Sequence, residues 1–98
     1  VVWRGSHLVM QAAFSKAYAG VSPDKYGDVD VTDIYQTARR EVFATCARVE
    51  VPTTVGEAVI LHRHLLHGVA PWAGGAGSEG RMIAYFRPQI APADWIMI

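Results

Sequence analysis

Net charge, cysteine and long apolar runs are what this chain has least of, and each shortage narrows what it does. Nine basic and nine acidic side chains cancel, so no overall field draws the chain to nucleic acid or to an anionic membrane. A single cysteine, Cys46, rules out an internal disulfide and fits a reducing, cytoplasmic compartment. With no cysteine pair and no His-Glu-x-x-His pattern, structural zinc and zincin chemistry lack a ligand set. No apolar run approaches the length of about 20 residues that a bilayer span requires. No basic-then-apolar leader opens the chain. Charged residues make up 18% of the sequence against 51% hydrophobic. That balance argues against disorder and directs some apolar surface toward a partner or a further part of the chain.

The 98 residues suffice for one domain with a modest core, taken as residues 1–98. The opening "VVWRGSH" reads as the end of a strand already under way, as in a piece of a longer protein. Val1-Val2-Trp3 is β-branched and aromatic, hence a strand end. Ser6 is placed to cap a helix over about Leu8 to Tyr18. Residues 20–30, with Gly, Pro and Asp, form a loop. Thr32 or Asp33 caps a second helix, with Arg39 and Arg40 toward its end, favourable to the helix dipole. The period then changes. Ala47, Val49 and Val51 alternate with Arg48 and Glu50, a strand stopped by Pro52. "AVILH" is a continuous apolar strand. In "GRMIAYFRP", Met82, Ala84 and Phe86 alternate with Arg81, Ile83, Tyr85 and Arg87. The links are too short for crossover helices, so antiparallel pairing is expected.

"LHRHLLHGVAPW" places His62, His64 and His67 within six positions. In extended chain His62 and His64 share a face and His67 takes the other. A three-histidine metal site from this hexad therefore requires a bulge. His62, ending an apolar strand, reads as a core histidine paired to backbone, and His64 as solvent-facing or in a turn. His67 stands before Gly68, where a side chain is held while a ligand approaches. Ser78 lies in the glycine-rich "AGGAGSEG", which lacks the lysine and following helix of a phosphate loop. Trp3 and Trp72 read as packing beside a β-core.

Taken together, "VVWRGSH", "VGEAVILHRHLLHGVAPW" and "EGRMIAYFRP" resemble the C-terminal half of the phytanoyl-CoA dioxygenase family, iron(II)- and 2-oxoglutarate-dependent oxygenases. The ordered elements are Gly5-Ser6-His7, Gly56-Glu57, His67-Gly68 and Arg81. The resemblance implies a mainly β fold with one or two helices, a partial double-stranded β-helix (jelly roll, cupin-like). It implies that His67 is the distal histidine of a two-His-one-carboxylate iron site, which leaves positions open for co-substrate and oxygen. It implies that Arg81 binds the far carboxylate of 2-oxoglutarate, and a guanidinium fork suits that bidentate role. His7, by the same resemblance, lies near the active site, while turn hydrogen bonding by Ser6 and His7 is the plainer reading.

The family's His-x-Asp motif, which supplies the other two ligands, does not occur in these 98 residues. The expectation is therefore the C-terminal portion of a 2-oxoglutarate-dependent dioxygenase that hydroxylates a small organic substrate, inactive as this fragment. Unpaired sheet edges favour a homo-oligomer, without nucleic acid or membrane as partner. The alternative is a non-catalytic, cupin-like oligomerising or binding module.

Overall fold

The computed structural model describes residues 1–71 and 83–96. Two helices form its centre. Helix α1 spans Ser6–Ala17 and α2 spans Thr32–Thr45. A short strand, β1 (Val2–Trp3), precedes α1 and pairs antiparallel with β2 (Arg48–Val49), which follows α2. In that pairing Val2 faces Val49 and Trp3 faces Arg48. Single 3₁₀ turns occupy Pro23–Asp28 and Pro92–Asp94.

The helices form where the local signals place them, but their ends are built differently from expectation. Gly5, not Ser6, is the residue before α1, and its φ of 81° is backbone that favours glycine. At α2 neither Thr32 nor Asp33 caps. The residue before the helix is Val31, and the Asp30 carboxylate accepts the Thr32 N–H at 3.0 Å. Thr32 hydrogen bonds hold the Asp30 carboxyl below its usual range, the side-chain contribution exceeding that of the backbone. The helix runs past Arg39 and Arg40 to Thr45, so its last turn carries no basic residue.

Ala38 and Val42, one turn apart on α2, meet Met10 of α1, and these three are the buried hydrophobic residues among those described. Trp3, Phe14, Cys46 and Leu66 pack around them. The Trp3 and Phe43 rings lie 5.0 Å apart, and Arg39 covers the other exposed aromatic face, 5.0 Å from the Phe43 centroid. The Trp3 reading as a packing residue holds.

The jelly roll expected from the resemblance is absent from the described residues. Helical segments make up 41% of the structure, and the ladder is one small antiparallel sheet of two short strands. Of the expected strand 47–51 only Arg48–Val49 pairs. Residues 58–62 and 83–88 adopt no regular structure, and Arg81 and Met82 lie outside the described residues. The physical reason is a lack of partners. Alternation gives a strand an apolar face, but that face is stabilised only when a second layer covers it. Here the apolar side chains of these segments face water: Ile60 is 98% exposed and Phe86 89%.

Candidate functional site

The first six residues draw the histidine-rich segment onto the helices. The Trp3 N–H donates to Leu66 O at 3.0 Å and the Gly68 N–H to Val1 O at 2.9 Å. The Val1 amino group donates to Gly68 O at 3.0 Å. Val2 thus bridges antiparallel to His67 on one side while pairing with Val49 on the other. Ser6 completes the join. Its Oγ accepts the Leu66 N–H at 2.8 Å, and the residue is fully buried. Gly5-Ser6-His7 and His67-Gly68, 60 positions apart, are therefore held side by side.

Ser6→Ala tests that join. The Leu66 N–H would lose its buried acceptor, a loss of about 1–3 kcal/mol, read as a lower denaturant midpoint with an unchanged slope. A midpoint equal to that of the parent chain would show that Ser6 does not carry the contact.

His67 itself is exposed. A carbonyl can only accept, so the ring Nδ1 donates to Leu65 O at 2.8 Å, and in the neutral ring that leaves Nε2 its lone pair. That is the tautomer a metal ligand requires, with the second ring nitrogen fixed by a backbone carbonyl. The side chain borders an open cleft of about 340 Å³, lined also by Val2, Val51, Val59, Ile83 and Tyr85. Arg81, the expected 2-oxoglutarate ligand, lies outside the described residues, as do Trp72 and Ser78. Ile83 and Tyr85, which share the parity of Arg81 in sequence, border the same cleft as His67.

The fit to iron is incomplete. Among the described residues no three His, Cys, Asp or Glu side chains converge on a common point. One imidazole with a free Nε2 is a ligand, not a centre. Gly56-Glu57, the other element of the resemblance, forms a closed turn instead. The Glu57 carboxylate accepts the Thr54 N–H at 3.0 Å and the Thr54 hydroxyl, and the Glu57 N–H returns to Thr54 O. The Thr54 side chain, and then its backbone, hold the Glu57 carboxyl below the usual range.

His62 and His64 do not join His67. The chain turns at Arg63-His64, with the Leu65 N–H donating to His62 O at 3.0 Å, so extended-chain parity does not apply. His64, read as solvent-facing or in a turn, lies in that turn but is buried at 9% exposure; His62, expected in the core, is half-buried. The His62 Nδ1 accepts the backbone N–H of His64 at 3.1 Å. The His64 Nε2 donates to the Trp95 carbonyl at 2.7 Å. The His7 and His62 rings meet at a tilt with centroids 5.2 Å apart, and the His62 and His64 rings, also tilted, lie 5.6 Å apart. A metal site built from His62, His64 and His67 is therefore not formed. The His7–His62–His64 cluster was not legible, because His7 lies 55 positions before His62.

No family model, curated protein or solved structure matches this chain. Among the described residues no helix is long and apolar enough to cross a membrane.

Proposed function

We propose that this chain is a portion of an iron(II)- and 2-oxoglutarate-dependent oxygenase of the phytanoyl-CoA dioxygenase type, and that it contributes His67 to the metal site and Arg81 to the 2-oxoglutarate carboxylate. One observation supports the reading most. Two of the four motifs that carry the resemblance, Gly-Ser-His and His-Gly, are joined across 60 positions by Ser6 and the Val2–His67 bridge, and His67 borders the adjacent cleft. The reaction class is oxidative decarboxylation of 2-oxoglutarate coupled to hydroxylation of a small organic substrate. The remaining ligands must come from outside these 98 residues, so the chain alone has no oxygenase turnover. Succinate release by the protein made from the whole reading frame tests the proposal, with the 98-residue chain alone as the inactive control.

A second reading, self-association as a non-catalytic module, draws on the surface. The chain exposes 7642 Å², where a compact chain of this mass exposes about 5,500 Å². The excess of roughly 2,000 Å² exceeds the ~800 Å² per partner of a standard interface. Val55, Ile60 and Phe86 lie almost wholly in water. A second copy of this chain is the occupant available to the isolated protein. Sedimentation is expected to give a dimer or larger species that the I60K/F86E double variant converts to monomer. A wild-type chain that stays monomeric at every concentration would remove this reading.

A further inference from the structure

We propose that Tyr18 and Tyr26 form an oxidative modification site, at which a one-electron oxidant joins the two phenols into a dityrosine. The inference is independent of the oxygenase reading. It uses none of the residues assigned to metal or co-substrate, and its oxidant comes from solution.

Local signals bring the two rings together. Tyr18 is the residue that ends α1, its N–H donating to Phe14 O at 2.9 Å. The chain then reverses. The Val21 N–H donates to Tyr18 O at 3.0 Å, and Gly20 takes a φ of 76° that favours glycine. Pro23 opens the 3₁₀ turn that carries Tyr26, a position its fixed φ suits. The Ser22 carbonyl accepts the Lys25 N–H at 2.9 Å, and Tyr26 comes to lie against Tyr18. The two rings stack with centroids 4.3 Å apart and planes 25° from parallel, closer than the range of about 4.5–7 Å usual for aromatic pairs. Phe14 stands 6.2 Å behind Tyr18 and Trp95 lies 6.0 Å from Tyr26, so the pair is flanked on both sides. Both tyrosines are half-buried. Among the described residues no hydrogen bond holds either phenol, so the rings are free to turn from the stack into a bond.

The chemistry follows from that proximity. Each phenol gives one electron to the oxidant and its hydroxyl proton to water, leaving a phenoxyl radical with spin on the carbons ortho to oxygen. The two radicals join by a carbon–carbon bond between ortho carbons. The hydrogen displaced from each ortho carbon moves to the oxygen of its own ring and restores the phenol. The chain thus loses two electrons and two protons, and two equivalents of oxidant are reduced. Holding the partners in contact favours this outcome over other fates of a tyrosyl radical. Exposure alone favours different residues. Of the four tyrosines, Tyr35 and Tyr85 are the more open to solvent, at 36% and 55%. Among the described residues, however, neither packs against another aromatic ring. Trp95 is the competing partner for Tyr26, but it is farther away and tilted by 38°.

The experiment oxidises the dilute 98-residue chain with a photo-excited ruthenium complex and persulfate, and reads the tryptic peptides by mass spectrometry. Cleavage after Lys16, Lys25 and Arg39 puts Tyr18 and Tyr26 on separate peptides, 17–25 and 26–39. The expected product is a single chain lighter by two hydrogen atoms, with those two peptides cross-linked. Tyr18→Phe and Tyr26→Phe should each abolish it, while the double variant Y35F/Y85F should keep it. Tyr18 and Tyr26 are only eight positions apart, so a flexible chain also brings them together, at an effective concentration on the order of mM. The same reaction on the chain unfolded in urea therefore sets the baseline. The folded chain should exceed it by at least about 10-fold, the gain from fixed contact. A folded yield no higher than the unfolded one overturns the proposal. So does a first cross-link through Tyr35, Tyr85 or Trp95, within or between chains.

Discussion

In the protein made from the whole reading frame, His67→Ala is expected to lower succinate release by more than about 100-fold. Losing even an outer partner of a metal-bound histidine costs about 10–100-fold in affinity or activity, and the ligand itself must cost more. The geometry makes His67 a clean target. Its ring is exposed at the edge of the cleft, so truncation removes a donor without opening a core. Among the described residues, the Nδ1 bond to Leu65 O is the side-chain hydrogen bond lost with it. A companion variant, Arg81→Lys, should act differently. A lysine keeps the charge but loses the planar fork, so the KM for 2-oxoglutarate should rise more than kcat falls. Equal succinate release from wild type and His67→Ala, with circular dichroism unchanged, would remove the ligand role and with it the proposed oxygenase reading.

The second large effect concerns the packing that holds this cleft in place. Met10→Ala should destabilise the chain by about 2–5 kcal/mol, the range for deleting a buried long side chain. Met10 is 1% exposed and Val42 is fully buried, and only Ala38 joins them as buried hydrophobic residues among those described. A core this small has no neighbouring layer to collapse into the gap. Val42→Asp is harsher, since it places a carboxylate opposite Met10 with no partner, and it should prevent cooperative folding altogether. Thermal unfolding followed by circular dichroism checks both. A Met10→Ala chain as stable as wild type would mean that the α1–α2 contact does not hold the fold.

What could be read in the residues divides by range. Both helices were legible within a few positions, because their signals are local: the helical spacing of Ile34, Tyr35 and Ala38 on α2, of which only Ala38 is buried, and chain punctuation at Gly5 and Gly20. The strand end at Val1-Val2-Trp3 was legible for the same reason. The later strands were not. Alternation in 47–51 and 83–87 states which side chains share a face, but pairing depends on a partner edge that alternation does not name. Without it, only Arg48 and Val49 pair and Ile60 faces water. Ser6 was read as a helix cap because serine caps helices. Its hydroxyl instead serves Leu66, a partner 60 positions on that no local pattern announces. His64 lies in the turn that was one of its two readings but is buried there, and His62 is half-buried, because the extended-chain argument does not hold across a turn. The juxtaposition of Gly-Ser-His with His-Gly was legible only through the resemblance, while the Trp95 contact with His64 had no signal in the sequence.

The rings of Phe14, Tyr18, Tyr26 and Trp95 form a ladder from α1 to the end of the chain, with centroid spacings of 6.2, 4.3 and 6.0 Å. At such separations a phenol excited by ultraviolet light passes its energy to an indole before it can emit. The ladder is therefore an optical gauge of its own geometry, with the emission of Tyr18 and Tyr26 quenched while the indole stays beside Tyr26.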